Sequence, residues 1–368
     1  MNELNNLESI FENVKKFTIS LKSQNDFSFK PVSNGELKNG NNLKLGFSSY
    51  GLKLYFMLGI WDELDTKSQN SWTEYINTFQ SKGGTQVSNF YLDPGIKNYY
   101  DSLDFKKEVK YFAKYFLKTF TNKKYDSKKQ EYFKAINADT KQAISTLYEV
   151  GAKNATHIPN LYNSNEEMLN YLSSLNWEKP WSAGAQFSSL CVYSITQEYG
   201  NENQLLDFLN KLVDKSTGSY FSKLPNEPRE IINGAMKIIT GLDWLNKEIH
   251  YPNELINFCL SNVPVTEGCD IVDYIYVLYK CSKETDHRRN EIQDKMLNAI
   301  SSIRKLYKDV EGGFSYFENK SQTHYYGVPF SQGLNTADIH GTLLCTWGLL
   351  MALKTLNVDI AKYNIIRP

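Results

Sequence analysis

The chain has 368 residues, with Lys+Arg and Asp+Glu balanced at 41 each. With no long run of either sign, that balance gives no support to a broad electrostatic attraction to nucleic acid or to an anionic membrane. Five scattered cysteines without a CxxC pair argue against a disulfide framework or zinc knuckle, and aromatics at 14% are enough to line a cavity as well as fill a core.

The N-terminal stretch MNELNNLESIFENVKKF is acidic where a secretory signal is basic, and it lacks the apolar core of such a signal. No later segment approaches eighteen continuous apolar residues. The expectation is a cytoplasmic protein without a membrane span, its thiols reduced. From there on, apolar residues recur at three- and four-residue spacing, and strict alternation of the strand type is almost absent. The spacing predicts helices near 3–23, 48–64, 69–81, 105–122, 128–151, 165–175, 183–199, 202–214, 229–245, 252–260, 270–281, 286–308 and 337–355. Residues 1–45 read as a helix plus a polar loop, and 46–368 as a single all-α domain. A long loop is expected over 154–180, which holds Pro159 and Pro180.

Two sequence forms alternate along this string, as repeats do. One is a helix that opens on small residues and continues apolar: Ser182-Ala183-Gly184-Ala185 before FSSLCVYSI, Asn233-Gly234-Ala235 before MKIITGLDWL, and Ala337 to Thr342 before LLCTWGLLMAL. Small residues there let helices approach closely at the crowded centre of a ring, or leave room for a ligand. The other is a glycine turn followed by an aromatic, at 82–93 (KGGTQVSNFYLD), 216–223 (STGSYFSK) and 311–319 (EGGFSYFEN), where glycine supplies positive φ and the aromatic plugs a neighbouring hairpin.

This alternation resembles the α/α toroid of terpenoid cyclases and protein prenyltransferase β subunits. Ile271-Val272-Asp273-Tyr274-Ile275-Tyr276 is similar to the prenyltransferase stretch that supplies an aspartate and a cysteine to catalytic zinc. Asp338-Ile339-His340 with TLLCTWGLL is similar to the later stretch that supplies the histidine, at about the family's separation. The resemblance implies Asp273 and His340 as zinc ligands, but Ile275 stands at the cysteine position. The basic diphosphate-binding positions correspond to Glu267 and Asp270, which would repel a prenyl diphosphate. The segment DIHGT (338–342) also looks like an altered Asp-x-Asp-Asp-Thr motif of class II cyclases, with His340 in place of the proton-donating aspartate and Gly341 next to it.

Read from the residues themselves, 267–276 and 335–342 concentrate polar groups at the starts of apolar helices. Cys269 and Asp273, and Asp270 and Asp273, share helix faces. Three readings stay open. Cys269 or Asp270 with Asp273 and His340 can bind a divalent metal such as zinc. The carboxylates Asp270, Asp273 and Asp338 with His340 can act as general acid and base. Asp270 and Asp338 can simply cap helices. Tyr276, Tyr325, Trp181 and Asn233 are the expected substrate-binding residues, and the loop carrying His324, Tyr325 and Tyr326 reads as a lid or a packed crossover. Phosphate loops, a GxSxG elbow, HExxH, Rossmann fingerprints and DDxxD-type motifs are absent.

The expected function is therefore acid/base or metal-assisted chemistry on a small-molecule substrate in a central aromatic cavity. A carbohydrate-active enzyme acting on an oligosaccharide is the first alternative, favoured by acidic rather than basic pocket residues. A non-catalytic binding scaffold is the second. The sequence leaves the oligomeric state open.

Overall fold

Helices that are apolar on every side have no face to give to water and must lie inside a fold. Leu45–Met57 (α2) and Ile339–Thr355 (α14) are of this kind, burying almost every residue. In the computed structural model, which describes residues 6–81, 88–102, 109, 111, 117 and 126–368, they lie side by side. Between them in sequence come Lys128–Glu149 (α6), Pro180–Thr196 (α8), Pro228–Leu245 (α10) and Gly268–Cys281 (α12). Each of these six packs on the next, and α14 returns to α2, so the inner helices close a ring.

Each inner helix is preceded by an outer one: Leu7–Leu21 (α1), Thr66–Asn77 (α4), Asn165–Ser174 (α7), Glu202–Leu212 (α9), Pro252–Ser261 (α11) and Arg289–Arg304 (α13). The outer helices bury a single stripe, as in Ile292, Met296, Ala299, Ile300 and Ile303 of α13. Short helices Ile60–Glu63 (α3) and Pro94–Asp101 (α5) lie between the first two inner helices in sequence. Six outer-inner pairs closed on themselves make an all-α, α/α toroid, the architecture that the sequence resemblance implied. Helix α1 packs on α2, α14 and the strand Gly313–Phe314.

The glycine-aromatic turns are small antiparallel hairpins that follow outer helices. Val213 pairs with Tyr220 after α9, and the two-residue strands Tyr307–Lys308 (β1) and Gly313–Phe314 (β2) pair after α13. Gln80 pairs with Tyr91 after α4, although the glycines of 82–87 lie outside the described residues. A fourth hairpin pairs Lys22 with Phe29 after α1, in a segment with no glycine to announce it. All four aromatics are buried. A second ladder, His324–Tyr325 (β3) with Val328–Pro329 (β4), turns through Tyr326 and Gly327, both at positive φ.

Most expected helices stand where the spacing put them, with ends shifted by a few residues. The helix expected at 105–122 falls outside the described residues save Val109, Tyr111 and Leu117. Helix α5 was not expected, since its Pro-Gly opening reads as a breaker. Here Pro94 occupies the first turn and Asp93 caps it through Gly95 N at 2.7 Å. The long loop at 154–180 is interrupted by α7 and ends where Pro180 opens α8.

The small residues serve close approach between α8 and α10. A Cβ on Gly234 would lie 2.6 Å from the Pro180 side chain and 3.1 Å from its backbone, and one on Gly184 would lie 3.0 Å from Lys237. Gly234→Ala is therefore expected to destabilise the fold by about 1–3 kcal/mol through overpacking. The check is a lower urea midpoint with an unchanged denaturant slope.

Candidate active site

The ring encloses a cavity of about 390 Å³, to which all six inner helices contribute. Tyr50 and Lys53 come from α2, Lys141 and Gln142 from α6, Gln186 from α8, Lys237 from α10, Asp273 from α12, and His340, Leu344 and Trp347 from α14. Cys269 lies at the start of α12, and Tyr316, Gln322, Tyr325 and Tyr326 enter from the loops between β2 and α14. The volume falls within the range of about 300–1,000 Å³ usual for small-molecule sites.

Asp273 is buried, and its Oδ2 has no hydrogen-bond partner among the described residues. Burial disfavours its charge and raises its pKa to about 6, against the opposing attraction of Lys237. His340 is stacked on Tyr50 at 4.9 Å between ring centroids and tilted against Tyr316 at 5.2 Å. Its Nδ1 lies 2.8 Å from Gln322 Oε1; against an amide oxygen Nδ1 carries the proton, which leaves the Nε2 lone pair free. Burial, helped by repulsion from Lys237, lowers its pKa to about 3, so the ring is neutral at ordinary pH. The Tyr316 hydroxyl donates to Cys269 Sγ at 3.1 Å, and burial raises that thiol to about 11. The Tyr325 hydroxyl donates to Asp139 Oδ1 at 2.6 Å.

Asp273, His340, Cys269 and Tyr325 thus meet at one cavity, as the sequence reading required, while the remaining candidates stand elsewhere. Asp270 Oδ1 accepts from Arg229 Nε at 2.8 Å and from Asn233 Nδ2 at 2.6 Å, while Arg229 lies over the Trp181 ring at 5.1 Å. Asp270, Asn233 and Trp181 therefore form a separate cluster around Arg229 and do not line the cavity. Tyr276 is buried against Trp347 at 5.2 Å, one layer behind the cavity wall. Asp338 caps α14: its Oδ1 accepts from Gly341 N at 2.7 Å, and its Oδ2 from Tyr316 N at 2.7 Å and Gln322 N at 3.1 Å. With both oxygens committed to backbone donors and no face on the cavity, its part is structural. A Cβ at Gly341 would lie 2.4 Å from Tyr316 N, so no carboxylate fits at that position of the altered cyclase motif.

The zinc reading finds no matching geometry. No group of three His, Cys, Asp or Glu among the described residues comes together as a metal ion requires. The Cys269 thiol is engaged by Tyr316, and Asp270 by Arg229 and Asn233. The expectation of an acidic pocket is also overturned. Glu267, which accepts from Glu318 N at 2.9 Å, lies with Asp270 off the cavity wall, and Lys53, Lys141 and Lys237 lie on it. Sequence reasoning passed over Lys53 and Lys141. Lys53 was legible in part, since it is the single charge of the otherwise apolar helix LGFSSYGLKLYFM.

No protein-family model and no curated protein matches the sequence. Among solved structures the chain is similar to a type II terpene cyclase from Scytonema, MstE_D109A, determined in complex with merosterolic acid A (product). The two share 9% identity over 96% of this chain and 98% of that one, with a TM-score of 0.43. The toroid assignment rests on the closed helix ring itself. No helix among the described residues is long and apolar enough to cross a membrane.

Asp338→Ala strands three backbone donors and removes a helix cap, at an expected cost of about 3 kcal/mol, read as a drop in unfolding midpoint. Asp273→Asn is expected to act in the opposite direction. Because the folded-state pKa of Asp273 is raised, its charge opposes folding above pH 6, and the penalty fades as pH falls toward the unfolded value near 4. The Asn variant should exceed wild type by about 2 kcal/mol at pH 8, with the difference gone by about pH 4. Paired chemical denaturation at the two pH values reads both quantities.

Proposed function

We propose that this chain is an enzyme that moves a proton to or from a small substrate enclosed in the central cavity of the toroid, with Asp273 as the proton-transfer group. The observation that carries this reading is Asp273 itself. A buried carboxylate with an unpartnered oxygen on a cavity wall lowers stability, and its pKa sits close to neutrality, where a general acid or base works best.

His340 takes a different part. A ring held neutral well below ordinary pH is a poor proton store but a good oriented hydrogen-bond partner, and Gln322, Tyr50 and Tyr316 fix its plane. Tyr50, Tyr316, Leu344 and Trp347 give part of the cavity an aromatic and apolar lining, suited to holding a carbon skeleton during proton transfer. That is the chemistry to which the resemblance to terpenoid cyclases points. With lysines on the wall, the ground given for the oligosaccharide alternative, acidic rather than basic pocket residues, loses its support.

The test begins with a thermal-shift screen of amphipathic isoprenoids and sugars, because a ligand of the folded state raises the melting temperature. Product analysis of the hits follows. Asp273→Asn is expected to bind a hit with wild-type affinity and to lose about 100- to 10,000-fold in kcat. His340→Gln should lose activity with a changed KM. Wild-type turnover by Asp273→Asn would overturn the assignment.

A further inference from the structure

Three lysines from three different inner helices, α2, α6 and α10, reach the same enclosed cavity. Burying an ammonium is costly unless a counter-charge or a full set of acceptors meets it. Lys53 Nζ donates to Ser145 Oγ at 3.1 Å and is attracted by Glu149. Among the described residues, Lys141 and Lys237 make no hydrogen bond or ion pair. The carboxylates nearby do not balance them. Glu149 accepts from Arg367 N at 2.8 Å, Asp243 is paired with Lys280, and Asp139 is engaged by Tyr325. Asp273 is the single carboxylate side chain on the wall, which the C-terminal residues Ile366 and Pro368 also line, and one aspartate is outnumbered by three lysines.

The repulsion is legible at Lys141. Burial, with repulsion from Lys237 and Lys53, holds Lys141 well below the usual lysine range, and burial brings Lys53 to about 8. Lys237 is also the cation that acts on Asp273, Cys269 and His340. It therefore stands between the lysine group and the proton-transfer group.

We infer that Lys53, Lys141 and Lys237 form an oxyanion-binding site in which the substrate's acidic group, a phosphate or a carboxylate, is seated while Asp273 faces the rest of the molecule. The inference deepens the acid/base reading and rests on it for the word substrate. These lysines are not the positions where the prenyltransferase resemblance would put its diphosphate-binding side chains, which correspond to Glu267 and Asp270. The amides of Gln142 and Gln186 share the wall and can donate to oxygens the ammoniums leave free. A bound anion would cancel the field of Lys237 at His340 and Asp273, so both would take up protons more readily when the site is filled. The seat for the acidic group and the proton-transfer group would then be coupled through a single side chain.

The experiment measures binding of inorganic phosphate, inorganic diphosphate and citrate to the full chain by calorimetry, at constant ionic strength set with chloride. Wild type is expected to bind at least one of them with a saturable isotherm, phosphates and citrate separating the two sources of oxyanion. Lys141→Met and Lys237→Met should each weaken that binding about tenfold or more. Both variants replace a half-buried lysine that has no ion-pair partner among the described residues by an apolar chain of similar length, so they are expected to fold about as stably as wild type. Lys141→Arg keeps the charge and should retain measurable binding. Equal affinity in wild type and both Met variants, or no saturable binding of any of the three anions, would overturn the site. Asp273→Asn separates the two claims. If anions bind wild type and Asp273→Asn alike but the latter keeps full turnover, the oxyanion site stands and the acid/base assignment fails. If Asp273 proves essential while no anion binds, the reverse holds.

Discussion

One carboxylate ties the parts of the site together. Asp338 begins the last inner helix, and it gathers the Gly341, Tyr316 and Gln322 amides onto its two oxygens. Its own amide donates to Phe314 O at 2.9 Å, and the next amide, that of Ile339, donates to Pro31 O at 2.9 Å. The hairpin after α13, the loop that follows it and the N-terminal loop are thus fastened to a single helix start. Tyr316 and Gln322 are the residues that hold His340, two positions beyond Asp338. The catalytic-looking aspartate of the motif is thereby the residue that positions the histidine, and charge-assisted bonds to backbone amides are strong enough for that task.

The cavity that results is unusual in its balance of charge. Its walls combine aromatic side chains with three lysines and a single carboxylate side chain. Such an arrangement costs stability in the empty protein, and a fold that keeps it has something to gain when a ligand arrives. Lys237 is the hinge of the electrostatics, since its field reaches the thiol and carboxylate of the neighbouring α12 and the imidazole of α14. Burial, reinforced by this lysine, keeps His340 neutral, whereas burial raises Asp273 against the pull of the same lysine.

Much of the fold was legible because it is repetitive. Apolar periodicity marks the helices, and the small-residue helix starts mark the inner ones, for the reason that Gly184 and Gly234 make plain: a side chain there would push α8 and α10 apart. The hairpin at Lys22 and Phe29 escaped notice because its turn needs no glycine, and α5 because proline and glycine at a helix start read like a loop. In the site, Asp273 and His340 were found through their family-like spacing. Asp270, Asn233 and Trp181 were drawn in by the same polar density, which turned out to serve an ion pair and a stacked Arg229.

The sequence by itself determined most of the helices and the alternation of outer and inner elements, and it singled out Asp273 and His340. Those properties are local, set by which side chains recur at helical spacing and which turns allow close packing. Only the tertiary structure decided what faces the hollow. Whether a helix lysine snorkels to solvent or reaches the cavity depends on the ring closing around it, and three lysines share one wall only when α2, α6 and α10 surround the same hollow. The division of the aspartates was decided in the same way, because a carboxylate is a cap, an ion-pair partner or an unsatisfied acid according to the donors that distant parts of the chain bring to it.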